Sequence, residues 1–210
     1  MLLFLPMFSE VVLLLVHLAV DQPQPEVASG VVLASHSFSL EDRYNNSFVN
    51  GVFKDNILLT LNYMDGAIKD KSGINWDDVE KPLQYSFTLD PGQEFAFHGA
   101  TLPEYSQNIA KTTNAHFNWD EGFKSDGDFT GDGVCHLASL IYWTAKDAGL
   151  TTYAPSNHNF AKIPDVPKED GVAIMSPNPL GNLYIVNNLD KPVVFYFNYD
   201  GTNLSVSVLY

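Results

Sequence analysis

The chain has 210 residues, of which 45% are apolar, 13% aromatic and 17% charged. That is enough apolar material for a core and too little charge for a disordered chain, and the length fits one domain or one plus an appendage. The 25 acidic against 11 basic residues give a net charge of −14, which repels phosphate backbones and leaves no polybasic patch for anionic lipid. A single cysteine excludes an intramolecular disulfide and any multi-cysteine zinc site.

Residues 1–20 (MLLFLPMFSEVVLLLVHLAV) are mostly apolar, broken by Pro6, Ser9, Glu10 and His17. The length suits a bilayer span or export signal, although the first basic residue is Arg43 and Glu10 is costly in lipid. Residues 21–30 (DQPQPEVASG) read as a Pro-rich polar linker. The expected organisation is a signal or membrane-anchor segment over 1–20, a linker over 21–30 and a domain over 31–210. Contact with a membrane is expected only through the first segment.

Within the domain, residues 31–40 (VVLASHSFSL) suit an opening strand. In 49–64 the apolar residues Val49, Val52, Phe53, Ile57, Leu61 and Met64 recur at three- and four-residue steps, which predicts an amphipathic helix ending near Gly66. Leu83, Tyr85, Phe87 and Leu89 alternate with Gln84, Ser86 and Thr88, the pattern of a half-buried strand, and Asp90-Pro91-Gly92 is a turn. Residues 118–134 form a Gly- and Asp-rich loop. The following segment to Gly149 is helical, with Leu137, Leu140, Ile141, Thr144, Ala145 and Ala148 along one face. Three strands close the chain: LYIVNN, PVVFYFNY and LSVSVLY, the last two joined at Asp200-Gly201. The fold class is α+β, a single domain with central helices and a C-terminal antiparallel sheet.

The chemistry-bearing feature is Gly131-Asp132-Gly133-Val134-Cys135 at the mouth of a helix. A thiol there feels the positive helix end, which favours the thiolate. His158 follows after the helix and a turn, within reach as a general base, with Asn157, Asn159 or Asp165 available to orient it. Asp126, Asp128 and Asp132 oppose this, because neighbouring carboxylates raise a thiol pKa. The other reading of Cys135 is plain packing. His136 points about 100° away from Cys135 on a helix and is a poor base for it; His98 and His116 read as ordinary core or surface histidines. The run from Asp126 to Asp132 begins like a calcium loop, but its twelfth position is Leu137 rather than a bidentate Glu. It reads as a solvated acidic loop, with calcium ligation by Asp126, Asp128 and Asp132 as the lesser alternative. The P-loop, dinucleotide-binding, zinc-protease and nucleophile-elbow motifs are absent from the sequence, and no cofactor is expected.

The stretch Gly131-Asp-Gly-Val-Cys135-His-Leu-Ala-Ser139-Leu-Ile-Tyr142 resembles the VanW family, whose hallmark is a Gly-rich triplet, Ile or Val, Cys, usually Gln, then a Ser/Thr-rich segment ending in Leu-Tyr. Pro91-Gly92-Gln93-Glu94-Phe95-Ala96-Phe97, Gly122-Phe123, Asn157-His158-Asn159 and Asn182–Asn188 followed by Lys191-Pro192 stand in the matching order. The resemblance spans roughly residues 45–208. Two positions depart from it: Asp132 replaces the middle Gly, and His136 the usual Gln. The resemblance implies an extracytoplasmic domain of the bacterial cell envelope, without an established reaction. Two functions follow as expectations. One is binding of peptidoglycan or its stem peptide, with Gly131, Asp132, Gly133, His136 and Ser139 at the site and an aromatic groove of Tyr142, Trp143, Trp119 and Phe123. The other is a hydrolase or acyl transferase using Cys135, His158 and Asn157.

Overall fold

A computed structural model describes residues 30–127 and 130–210. The apolar segment 1–20, most of the linker and Asp128 lie outside the described residues. Among the described residues, no helix is long and apolar enough to cross a membrane.

Strand β1 (Val32–Ser39) leads to helix α1 (Ser47–Asp65). Asn46 caps α1 by accepting the Phe48 and Val49 N–H groups, and Gly66 stops it in the left-handed conformation. The predicted stripe is present: Val52, Ile57, Leu61 and Met64 are buried, while Val49 and Phe53 are half-buried. A short helix α2 (Trp76–Val79), begun by the Asn75 cap, precedes β2 (Leu83–Leu89), whose inward residues are those the alternation selected. Strands β3 (Glu94–Ala96) and β4 (Ile109–Lys111) are brief. Helix α3 (Val134–Asp147) follows the Gly-rich loop, then come β5 (Thr151–Tyr153), β6 (Tyr184–Val186), β7 (Val193–Tyr199) and β8 (Asn203–Leu209).

The strands form two four-stranded sheets, ordered β1-β8-β7-β2 and β4-β3-β6-β5. The first is antiparallel throughout; in the second only the β3–β4 pair is parallel. One apolar cluster runs through both sheets, α1 and α3, so this is a single α+β domain with its C-terminal residues in an antiparallel sheet. The chain-end meander is narrower than the sequence suggests. β6 leaves it and pairs with β3 and β5. Tyr184 and Ile185 are both buried, so β6 carries no alternation to mark a solvent face. Asn187 then turns the chain by donating from its amide to the Leu89 and Lys191 carbonyls, each at 2.8 Å.

Candidate functional site

The Gly-rich loop is fixed from α1. The buried Asn56 amide donates to the Lys124 carbonyl (3.0 Å) and the Asp132 carbonyl (2.8 Å), and its oxygen accepts the Lys124 N–H (2.8 Å). Gly133 begins α3 with a φ of 96°, and an added Cβ would stand 2.7 Å from the Phe53 carbonyl oxygen. Glycine is therefore required on two counts: the left-handed backbone and the close approach of α1. Cys135 lies in the first turn of α3 as the sequence implied.

A cleft of about 610 Å³ opens at this helix start, walled by Tyr44, Phe53, Phe117, the 130–136 backbone, His158, Phe160 and residues 173–176. Cys135, His136 and His158 all face it. The Cys135 sulfur is tied to one peptide unit: it accepts the Ile174 N–H at 3.3 Å and lies 3.9 Å from the Ile174 carbonyl oxygen. Burial pushes its pKa up, and Asp132 adds to the rise. These effects oppose the helix end, leaving a neutral thiol at pH 7. Among the described residues, Cys135 has no hydrogen bond to His158.

His158 is held differently. The Ala161 carbonyl, 3.0 Å from Nδ1, can only accept, so Nδ1 carries the proton and Nε2 is bare. Desolvation lowers the pKa, so the ring is neutral. A backbone carbonyl thus does the orienting that Asn157 was a candidate for; the Asn157 amide instead donates to the Glu169 carbonyl at 3.5 Å. The loop beyond His158 is closed at its base, where the His158 N–H donates to the Gly171 carbonyl at 3.0 Å.

His136 is a buried part of the cleft wall, with its pKa pushed well below the usual imidazole range by desolvation, then by Arg43 and His158. The Arg43 guanidinium can only donate, and its Nη2 lies 3.3 Å from His136 Nδ1. The ring proton therefore sits on Nε2, facing the Tyr44 hydroxyl at 3.3 Å. The Tyr44 oxygen accepts there, which frees its own proton to donate to another acceptor.

Several expected site residues are placed elsewhere. Phe123 is fully buried in the core, Trp143 stacks on His36 at 3.5 Å, Tyr142 packs half-buried on the core and Trp119 is exposed away from the cleft lining. The groove from these four residues does not form, because Tyr142 and Trp143 lie on α3 two turns beyond Cys135. Ser139 is buried, donating to the Cys135 carbonyl (2.7 Å) and accepting the Val172 N–H (2.8 Å). In the acidic run, the Asp126 N–H donates to the Asp132 carboxylate at 2.9 Å. Among the described residues, no three His, Cys, Asp or Glu side chains are grouped to hold a metal. His98 is buried with Nε2 at 2.9 Å from the Gly181 carbonyl, while His116, read from the sequence as an ordinary histidine, is exposed, bonded to Glu121 and part of the cleft lining. The aromatic walls that do form, Tyr44, Phe53 and Phe160, carried no motif. Their only signals were the position of Arg43-Tyr44 as the first basic step in the chain and of Phe160 two residues after His158.

A family model described as VanW like protein matches residues 85–209, more than half of the chain. No curated protein and no solved structure matches it. The matched segment starts inside β2 and includes the glycine loop, Cys135 and His158, while Arg43, Tyr44, Phe53 and Asn56 precede it. The chain belongs to the VanW family.

Proposed function

We propose that the protein is an extracytoplasmic binding module of the cell envelope, whose cleft at the start of α3 takes part of a peptidoglycan strand or stem peptide. Family membership, the acidic surface and the apolar segment 1–20 support the envelope setting. The observation that carries binding over catalysis is the state of the sulfur: Cys135 is engaged with the Ile174 peptide and its thiol pKa is raised, so the reactive thiolate is disfavoured. The cleft around it offers what a ligand site needs, aromatic faces with a few directed polar groups.

The test is retention of the full-length protein on purified peptidoglycan, with Cys135→Ala alongside. Equal retention of both proteins, without release of wall fragments, is the expected result; no retention of the natural sequence sinks the reading. A second reading, acyl transfer, draws on one feature: the bare His158 Nε2 shares the cleft with Cys135. His158 would take the thiol proton as the sulfur attacks an acyl carbon and give it to the departing amine, and water or an acceptor amine would then cleave the thioester and restore the thiol. Titration with iodoacetamide separates the two. Binding requires labelling that becomes appreciable only above about pH 8, whereas fast labelling at neutral pH would establish the nucleophile.

A further inference from the structure

A second, smaller cavity of about 330 Å³ adjoins the cleft, and His158, Phe160 and Ala161 belong to the walls of both. Its remaining walls include Lys162 and Lys168 and contain no Asp or Glu. In this protein that pairing of lysines is unusual. Of the eleven basic residues, Arg43, Lys54, Lys81, Lys124 and Lys146 form ion pairs. Lys71 donates to the Trp119 carbonyl, and Lys111 and Lys191 lie over tyrosine rings. Among the described residues only Lys69, Lys162 and Lys168 remain without such a partner, and two of these three meet at one cavity. The acids on the same loop are engaged elsewhere or stand outside the wall: Asp165 is 3.8 Å from Arg43, Asp170 pairs with Lys146, and Glu169 is not part of the lining.

The ridge between the cavities is also built for contact. Phe160 is 77% exposed, yet its ring rests 3.9 Å from the His158 ring, so an aromatic face is held ready rather than left free. The larger cleft has Asp132 in its wall and no Lys or Arg. The two compartments therefore differ in charge: one cationic, the other apolar and acidic.

We propose that the smaller cavity is a carboxylate subsite: a peptide ligand seats its free C-terminal carboxylate between Lys162 and Lys168 and crosses the His158–Phe160 ridge into the cleft beside Cys135. This rests on the reading of the cleft as a ligand site and adds the chemical class and the direction of the ligand. Two mobile ammonium groups suit a single carboxylate, and charge-assisted hydrogen bonds to it exceed neutral ones in strength. Repulsion from the distant acidic surface is screened over about 8 Å at physiological salt, so the local lysines decide.

The experiment titrates the full-length protein with N-acetyl-glycyl-alanine and with the same peptide as its C-terminal amide, following the His158 imidazole resonances. The acid is expected to bind roughly tenfold more tightly than the amide, and Lys162→Gln/Lys168→Gln to abolish that difference. Lys162→Arg/Lys168→Arg and the exposed control Lys69→Gln should retain it. All three lysines are exposed, so none of these changes threatens folding. Equal affinity for acid and amide, absence of binding by both, or a difference that survives the double Gln change overturns the subsite. Loss of wall retention by the natural sequence, with the acid still preferred over the amide, would instead refute peptidoglycan and leave the subsite standing.

Discussion

The strands of the β1-β8-β7-β2 sheet run seven or eight residues each, whereas no strand of the β4-β3-β6-β5 sheet exceeds three. The long sheet is held by cross-strand apolar pairs. Phe87 faces Phe195 with rings 5.0 Å apart, and Tyr85 faces Phe197 at 5.7 Å. The short sheet is held by side chains that bolt its loops. Asn182 is buried, accepts the His98 and Leu183 N–H groups and donates to the His98 and Ala100 carbonyls. Tyr184 stacks on Tyr105 and bonds the Pro179 carbonyl. The comparison teaches where function can be placed: the long sheet is a scaffold that needs all of its length, while the bolted one leaves long connections free, among them the β5–β6 connection that carries His158, Phe160 and both cavity lysines.

The difference can be broken in three ways. The largest effect is expected for Phe195→Ala, which empties a fully buried aromatic site and should cost about 3–5 kcal/mol in denaturant melts. Next comes Asn182→Ala, which strands buried amides and carbonyls rather than opening a large void, at roughly 2–3 kcal/mol. If Asn182→Ala were neutral, the bolts would be incidental and the short sheet would be held by its neighbours. Phe195→Ala should lower overall stability without reshaping the cleft. Asn182→Ala should additionally raise hydrogen exchange in the β5–β6 connection.

The smallest effect is set by pH. His98, His136 and His158 all have lowered pKa values in the fold, desolvation being the leading cause for each. Above the unfolded imidazole pKa of about 6.5 neither state binds the proton, so these groups cost nothing there. As pH falls below that value the unfolded chain takes up protons that the fold refuses, and stability declines. One wholly buried imidazole contributes at most about 1.4 kcal/mol per pH unit. His136→Gln, whose amide can still accept from Arg43 and donate to Tyr44, should flatten the decline between pH 6.5 and 5 measured by urea unfolding. An unchanged slope would mean that His136 is protonated in the fold.

Legibility in the sequence follows the same division. Strand β2 was readable to its ends because one face meets the core and the other water, and the Asp200-Gly201 turn marked the β7–β8 hairpin. Helix α1 was readable from its stripe and Gly66. The brief strands β4 and β5 were not, since three residues define no period. At the site, the glycines gave away the sulfur at a helix start. The partner of that sulfur was hidden, because Ile174 contributes only its backbone, which every residue possesses. Arg43, Tyr44 and Asn56 were hidden for another reason: Tyr44 lines the cleft, and Arg43 and Asn56 hold its wall, from far upstream, and no local pattern ties them to Cys135.

Ser139 has a consequence of its own. One hydroxyl fastens the first turn of α3 to Val172, within the β5–β6 connection that bears His158 and the lysines. The sulfur and that connection are thereby clasped into one piece. For the ligand proposed above, the walls would already be set, and little affinity would go into arranging them.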